Sequence, residues 1–413
     1  MKHTSALLAM LVISTLFVFG CTPPTPPGKI LMDATGATAE NVKLVVDANN
    51  QFAFDLYAKY KSKEGNLFFS PYSISSALAM TYEGAYGETA QEMARVFYFP
   101  QDAAQLRPGF AQEFNNINAP GKPYKLSTAN ALWAQQDYKF LDSYFTTIGN
   151  YYGGKVTNLD FIGDTENSRV TINKWVELQT NDKIKDLIPP GEIDTMTRLV
   201  LTNAIYFKGT WVWQFDKSAT SEADFRVSPE KTVKAQMMAI TGEKARFNYT
   251  ETEELQIIEL PYSGNEISML VLLPKADTLD ALETSLYRGT LDRLRAQMHE
   301  TGMKVYLPKF KFETKYFMKD DLAEMGMPTA FSGSADFSGM TGAQDLYISQ
   351  VIHQAFVDVN EEGTEAAAAT AVVMKAMAIR TDIFNADHPF IFLIQEKATG
   401  SILFMGRVTD PTK

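Results

Sequence analysis

A single domain of mixed α+β class is predicted by three features of the 413-residue sequence. Segments with a helical period, Asn49–Tyr60 and Thr165–Asp186, are interspersed with β-forming runs at 198–216, 255–262, 267–274 and 303–312. No internal repeat appears, and no linker rich in Pro, Gly or Ser divides the chain beyond Gly28. The length is ample for a sizeable core, and the composition is that of an ordinary globular protein.

The first twenty residues are expected to lie outside that domain. Lys2 and His3 precede an apolar run from Ala6 to Phe19, short for a bilayer span but suited to a signal-peptide core. The run ends in V-F-G-C, which resembles the lipobox of prokaryotic lipoproteins, although Phe19 is bulkier than that motif usually carries. Residues 1–20 are therefore read as a signal peptide. Cys21 becomes the lipidated N-terminus, and the protein is exported and held at the cell envelope or surface; plain secretion is the alternative. Cys21 is the only cysteine, so no disulfide forms within the chain. Thr22 to Gly28, T-P-P-T-P-P-G, is a stiff extended spacer. Residues 21–47 are read as a tether, flexible or loosely docked towards Asp47, and 48–413 as the domain.

Within the domain, Phe52, Ala53, Leu56, Tyr57 and Tyr60 mark one face of a helix. N-L-F-F-S-P-Y-S-I-S-S-A-L-A-M, from Asn66 to Met80, reads as a short strand over Leu67–Phe69 and a turn at Ser70-Pro71. A helix with a serine cap follows from Ser73. Leu126 to Gln135 reads as a strand. In the helix from Thr165, residues Ile172, Trp175, Val176 and Leu178 form the buried side. Asn203 sits in the apolar run T-N-A-I-Y-F-K-G-T-W and must find partners, or its burial costs roughly 1–3 kcal/mol. Met303–Phe312 is a strand containing L-P-K-F. The C-terminal A-D-H-P-F-I-F-L-I and G-S-I-L-F-M-G-R-V form a hairpin pair.

The formal net charge of −11 argues against a nucleic-acid or anionic-membrane surface. His299, His353 and His388 fall in no metal-binding spacing, and no G-x-S-x-G elbow, P-loop or G-x-G-x-x-G is present. No enzyme activity, metal or cofactor is expected. His353 reads first as a buried histidine that packs and hydrogen-bonds.

Val359 to Arg380, V-N-E-E-G-T-E-A-A-A-A-T-A-V-V-M-K-A-M-A-I-R, supports two conformations. Thr364 would cap an alanine-rich helix of poor amphipathicity. Read with period two, Thr364, Ala366, Ala368, Thr370, Val372 and Met374 share one face, and Glu365 and Lys375 lie on the other. Local reasoning favours helix and leaves strand open. A segment compatible with both suits a conformational switch.

E-E-G-T-E-A-A-A-A-T, from Glu361 to Thr370, resembles the reactive-loop hinge of the serpins, the serine protease inhibitors. N-L-F-F-S-P-Y-S-I-S-S-A-L, T-N-A-I-Y-F-K-G-T-W, L-P-K-F, A-D-F-S-G-M and the C-terminal hairpin are similar to further serpin motifs, in the family's order, from Ala48 to Pro411. The resemblance implies the serpin fold: three β-sheets, about eight or nine helices, and an exposed reactive-centre loop near 361–384. It implies a suicide inhibitor. The protease attacks the loop, forms an acyl-enzyme, and is trapped when the hinge inserts into the central sheet.

By the usual hinge length the scissile bond is Met377–Ala378, with Arg380 the rival to Met377. Methionine suits elastase-, chymotrypsin- or subtilisin-like serine proteases; cysteine proteases are a further target class, and a monomer is expected. The hinge comprises Glu361, Glu362, Gly363, Thr364, Glu365, Ala366, Ala367, Ala368, Ala369 and Thr370. Ser70, Asn203 and His353 match the shutter, where the central strands part, and Trp211 and Glu361 match the breach above it. A non-inhibitory serpin, acting in binding or storage, is the alternative. Such relatives commonly carry bulky, charged or proline residues in the hinge; this hinge has no proline, and its inward face, beginning with Thr364, Ala366 and Ala368, carries nothing bulky or charged.

Overall fold

The computed structural model describes residues 31–242, 245–276, 278–364 and 382–413. In chain order the first half comprises α1 (Ala39–Tyr60), β1 (Leu67–Phe69), α2 (Pro71–Tyr82), α3 (Gly87–Phe97), α4 (Ala103–Asn118), β2 (Lys125–Gln135), α5 (Asp142–Tyr151), β3 (Lys155–Leu159), α6 (Thr165–Gln179) and β4 (Leu199–Thr210). There follow β5 (Ser221–Ser228), β6 (Lys231–Ile240), β7 (Arg246–Glu251), β8 (Leu255–Pro261), β9 (Ile267–Pro274), α7 (Asp280–Ser285), α8 (Arg288–Gln297), β10 (His299–Pro308) and β11 (Phe310–Phe317). The chain ends with α9 (Lys319–Met325), a 3-10 turn, α10 (Ser338–Thr341), β12 (Gln350–Asn360), β13 (Gly363–Thr364), β14 (Asp382–Asn385), β15 (Phe390–Glu396) and β16 (Ile402–Val408).

The mixed α+β class is as expected, with ten α-helices among the described residues rather than eight or nine. The three expected sheets are two by continuous pairing. The six-stranded sheet runs β11-β12-β13-β4-β2-β3. The other two merge because β10 pairs with β7 through its first half and with β6 and β14 through its second. Phe68 stacks on Phe392 and Phe404 and meets Phe312 edge-on, fastening the two sheets together.

Several local expectations need correction. α1 begins at Ala39, well before Asn49, because the Thr38 hydroxyl accepts from Asn41 N–H (3.1 Å) and Glu40 lies in the first turn. The stretch before it is docked too. The Asn115 amide brackets the Met32 backbone through both N–H (2.8 Å) and C=O (2.9 Å), and Asp33 N–H bonds Asn150 O (2.7 Å).

α2 starts at Pro71 with Ser70 as its cap, since proline at the first position has no N–H to lose. α6 stops at Gln179, where Asn181 and Asp182 adopt left-handed φ of 53° and 59°. Leu178 is exposed rather than buried, because the sheet-facing stripe is Ile172 and Val176. The run 303–312 is two strands broken at Lys309, and β4 ends at Thr210. Among the described residues no helix is long and apolar enough to cross a membrane.

Candidate functional site

The long central strands β4 and β12 are parallel and directly hydrogen-bonded over Val200–Tyr206 and Gln350–Phe356. Above that seam they part, and β13 sits in the fork, antiparallel to both. Thr364 lies opposite Val359 on one side and Gly209 on the other, and Gly363 opposite Asn360 and Thr210. The chain reaches the fork by reversing at Glu361-Glu362, where Glu362 N–H donates to Asn360 Oδ1 (3.1 Å).

Glycine is required at 363 because a Cβ there would lie 1.9 Å from the Gly209 carbonyl oxygen. Gly209 is constrained in turn, since its Cβ would meet the rings of Phe207 and Tyr262 at 2.7–2.8 Å. Thr364 is buried and its hydroxyl shares a 2.6 Å hydrogen bond with the Tyr262 phenol. Tyr262 stacks on Trp211 with ring centres 4.3 Å apart.

Trp211 and Glu361 flank this fork. The Trp211 backbone N–H donates to Glu362 O (2.9 Å), and its indole N–H donates to Asn360 O (3.0 Å). Glu361 O accepts from Phe215 N–H (2.9 Å), and its carboxylate takes Lys309 Nζ (2.9 Å) and the Thr220 hydroxyl (2.9 Å). Burial pushes this carboxyl upward. Its hydrogen bonds to Lys309, the backbone and Thr220, with the Lys309 charge, outweigh burial and leave it below the ordinary glutamate value. Glu362 pairs with Lys217.

Six residues below Thr364, at the level of the closed seam, Ser70, Asn203 and His353 form one buried network. Asn203 and His353 face each other across the seam. Ser70 N–H donates to His353 Nε2 (3.1 Å), so the ring proton resides on Nδ1 and is given to Asn203 Oδ1. Asn203 Nδ2 donates to Ser73 Oγ (2.5 Å) and Asn130 Oδ1 (2.5 Å). Ser70 Oγ donates to Leu403 O (2.6 Å) while capping α2. Burial lowers the His353 pKa to about 3, so the ring is neutral. With both nitrogens engaged in the interior, it has no reachable proton acceptor for catalysis.

Sequence reasoning did not single out Ser73, Asn130, Gly209, Lys217, Thr220, Tyr262 or Lys309 for this site. Asn130 carried a signal: like Asn203 it is a lone amide in an apolar strand, and it pairs directly opposite Asn203. Met377, Ala378, Arg380, the hinge from Glu365 through Ala366, Ala367, Ala368 and Ala369 to Thr370, and Cys21 lie outside the described residues. No group of His, Cys, Asp and Glu able to hold a metal occurs among the described residues.

Residues 47–411 match the family described as Serpin (serine protease inhibitor). The chain belongs to the serpin family. An uncharacterised serpin-like protein of Methanosarcina acetivorans is 46% identical over 89% of this chain and 88% of its own. Leukocyte elastase inhibitor of Equus caballus is 42% identical over 88% of this serpin and 98% of its own length. Among solved structures, uncleaved ovalbumin is 34% identical with a TM-score of 0.80, covering 89% of this chain and 100% of its own. Thyroxine-binding globulin in complex with thyroxine is 30% identical with a TM-score of 0.81, covering 89% and 99%.

Proposed function

We propose that this serpin is a suicide inhibitor of serine proteases, cut at Met377–Ala378 and trapping its target as an acyl-enzyme. The observation that carries the reading is the seat of β13: hinge residues Gly363 and Thr364 already occupy the fork between β4 and β12, and the residues that follow on the Thr364 face begin with the small Ala366, Ala368 and Thr370. Cleavage frees the far end of the loop, and the hinge can then run down the seam as a new strand.

The register of that strand follows from the pairs already formed. Thr364 faces Gly209 and Val359, so Thr370, six residues on, would face Asn203 (209 − 6) and His353 (359 − 6). A hydroxyl would then arrive between the two side chains that hold the seam shut. By the same step Met374 faces Leu199, the first residue of β4, and Met377 lies just beyond the sheet. Roughly ten inserted residues, at about 0.5–1.5 kcal/mol for each added hydrogen bond, release on the order of 10 kcal/mol. That is enough to distort an attached protease and disable its oxyanion hole.

The relative named leukocyte elastase inhibitor and the methionine at 377 both favour an elastase-, chymotrypsin- or subtilisin-like target. A binding role without inhibition is the second reading, since thyroxine-binding globulin has the same fold. The unobstructed hinge favours inhibition.

Incubation with pancreatic elastase or subtilisin tests the proposal on denaturing gels. A covalent complex that survives boiling, with a released peptide beginning at Ala378, is expected. Complete cleavage without complex, and no rise in the melting temperature of the cleaved chain, would remove the inhibitory reading. Export and lipid attachment at Cys21 are part of the same proposal. Expression in a lipoprotein-processing bacterium should place the protein in the membrane fraction, and Cys21→Ala should release it; equal partitioning of both argues for plain secretion or none.

A further inference from the structure

The segment that follows α6 crosses the closed seam, and its two ends are tied to opposite sides of it. At one end Asn181 is fixed to β2: its Oδ1 accepts from Lys125 Nζ (2.7 Å), and its Nδ2 donates to Ser127 Oγ (3.2 Å). At the other, the Asp186 carbonyl accepts from Lys315 Nζ (2.6 Å) on β11. Between these ties and just beyond them, Ile184, Leu187 and Ile188 pack on Val200 and Ala204 of β4 and Ile352 of β12. In sheet order β2 and β11 lie on either side of the β4–β12 seam, so this strap bridges the gap a new strand must open.

The strap cannot lengthen freely. Asn181, Asp182 and Asp186 are all left-handed (φ 53°, 59° and 48°), a conformation asparagine and aspartate tolerate better than most residues, and they keep the segment coiled. Ile184 N–H is bonded to Thr180 Oγ1 (3.2 Å). Asn173 of α6 bonds Ile188 through both its N–H (2.9 Å) and its C=O (2.9 Å), and Arg169 donates to the same carbonyl (2.9 Å). α6 in turn is held to β2 by the edge-on Trp175–Trp133 pair, with Lys155 of β3 over both rings. Strap, α6, β2 and β3 therefore move as one body.

Adding a strand between β4 and β12 moves β11 away from that body by one strand spacing, about 4.8 Å. The Asp186 carbonyl stays with α6 and β2, whereas Lys315 travels with β11. Among the described residues two side-chain hydrogen bonds tie the β2 end, while one tie, from Lys315, and the packing of Phe317 hold the β11 end, and the Lys315 bond is the one that the separation must break.

We propose that the Lys315–Asp186 contact is a latch that sets how fast a strand enters between β4 and β12. This rests on the insertion reading above. Lys315 is a positioning residue: it acts by holding β11 against the strap.

The test offers the full, uncleaved chain a synthetic peptide with the sequence of residues 365–374 and follows annealing by native-gel mobility and by the rise in melting temperature. Lys315→Met keeps the aliphatic stem and removes the donor, and should anneal about fivefold faster than the parent chain. Lys315→Arg restores a donor and should return to the parent rate. The near-ultraviolet dichroism of each uncleaved variant reports whether its fold is intact. Equal rates for the parent and Lys315→Met, with both annealing, overturn the latch and leave insertion standing. No annealing by any variant, together with no thermal rise after loop cleavage, overturns insertion and the latch with it.

Discussion

The top and the middle of the β4–β12 seam are held by different chemistry. At the top, a two-residue strand keeps β4 and β12 apart, fixed by Lys309–Glu361 and Lys217–Glu362, ion pairs whose lysines reach solvent. In the middle, the strands touch and are sealed by neutral, fully buried hydrogen bonds among Ser70, Ser73, Asn130, Asn203 and His353. The upper fastening loses strength to salt and water; the lower is shielded from both. A sheet built this way opens from the top downward, the direction in which a hinge already seated in the fork would travel. The contrast also separates two functions of the same sheet: the fork admits the strand, and the buried network decides whether the seam parts to receive it.

The largest effect should come from blocking the entry. Gly363→Val directs a side chain into the Gly209 carbonyl, with no room for it, and should expel β13 from the fork. Protease should then cleave the loop without being trapped, so the inhibitor consumed per protease blocked should rise at least about tenfold on titration against elastase. Unchanged stoichiometry would mean the fork is not the entry point.

A smaller but distinctive effect should come from the buried network. The folded pKa of His353, about 3, lies below its ordinary 6.5, so between those values the unfolded chain binds a proton that the folded chain does not. Stability from this group is present above about pH 6.5 and is lost as pH falls towards 3, by an amount on the order of 4 kcal/mol. Burial pushes Glu113 up to about 7, which acts in the opposite sense over the same range, so the His353 contribution is read as the difference in slope between parent and His353→Gln in urea unfolding from pH 4 to pH 7. His353→Gln, which can still donate to Asn203 and accept from Ser70, should be less stable at neutral pH by about 1–3 kcal/mol and should lose that contribution to the slope. An unchanged slope would place the titrating group elsewhere.

How much of this was legible beforehand depended on whether a residue's role is local. Ser70-Pro71 reads as a turn, which puts the helix start at Ser73, two residues late, although a serine cap followed by proline is decided within four residues. Local reasoning favours Thr364 as the cap of a helix and leaves strand open; the structure puts it in β13, buried, so the alternation is the better guide there. Asn203 was singled out because an amide in an apolar strand demands partners, yet the sequence could not say that Asn130 would be one of them: that pairing depends on the β2–β4 register. Leu178 was misread because the face that meets the sheet is set by Ile172 and Val176, and Leu178 lies off it. Lys309 was visible only as part of L-P-K-F. Its importance comes from breaking a strand in two and meeting Glu361 from far along the chain, which no local pattern encodes.

The smallest effect, and the sharpest test of the contrast, should come from Lys309 itself. Its side chain is 39% exposed against 9% for Glu361, so the pair is screened on one side only. Lys309→Ala should lower stability by about 1 kcal/mol, less than removal of a buried partner would, because water still reaches the site and Thr220 still donates to the carboxylate. The Glu361 carboxyl, held below its ordinary value in the parent, should titrate higher in the variant. Stability from that carboxylate is present above the ordinary glutamate range and lost as pH falls through its folded value, so the variant's acid-side loss from this group should shrink. Raising salt to 0.5 M should weaken the parent more than Lys309→Ala, which keeps only the Lys217–Glu362 pair of the upper fastening, whereas the pH slope assigned to His353 should persist in both (Debye length there about 4 Å). If salt instead flattened the His353 slope, the lower network would be reached by solvent, and the seam would not be sealed in the middle as its geometry indicates.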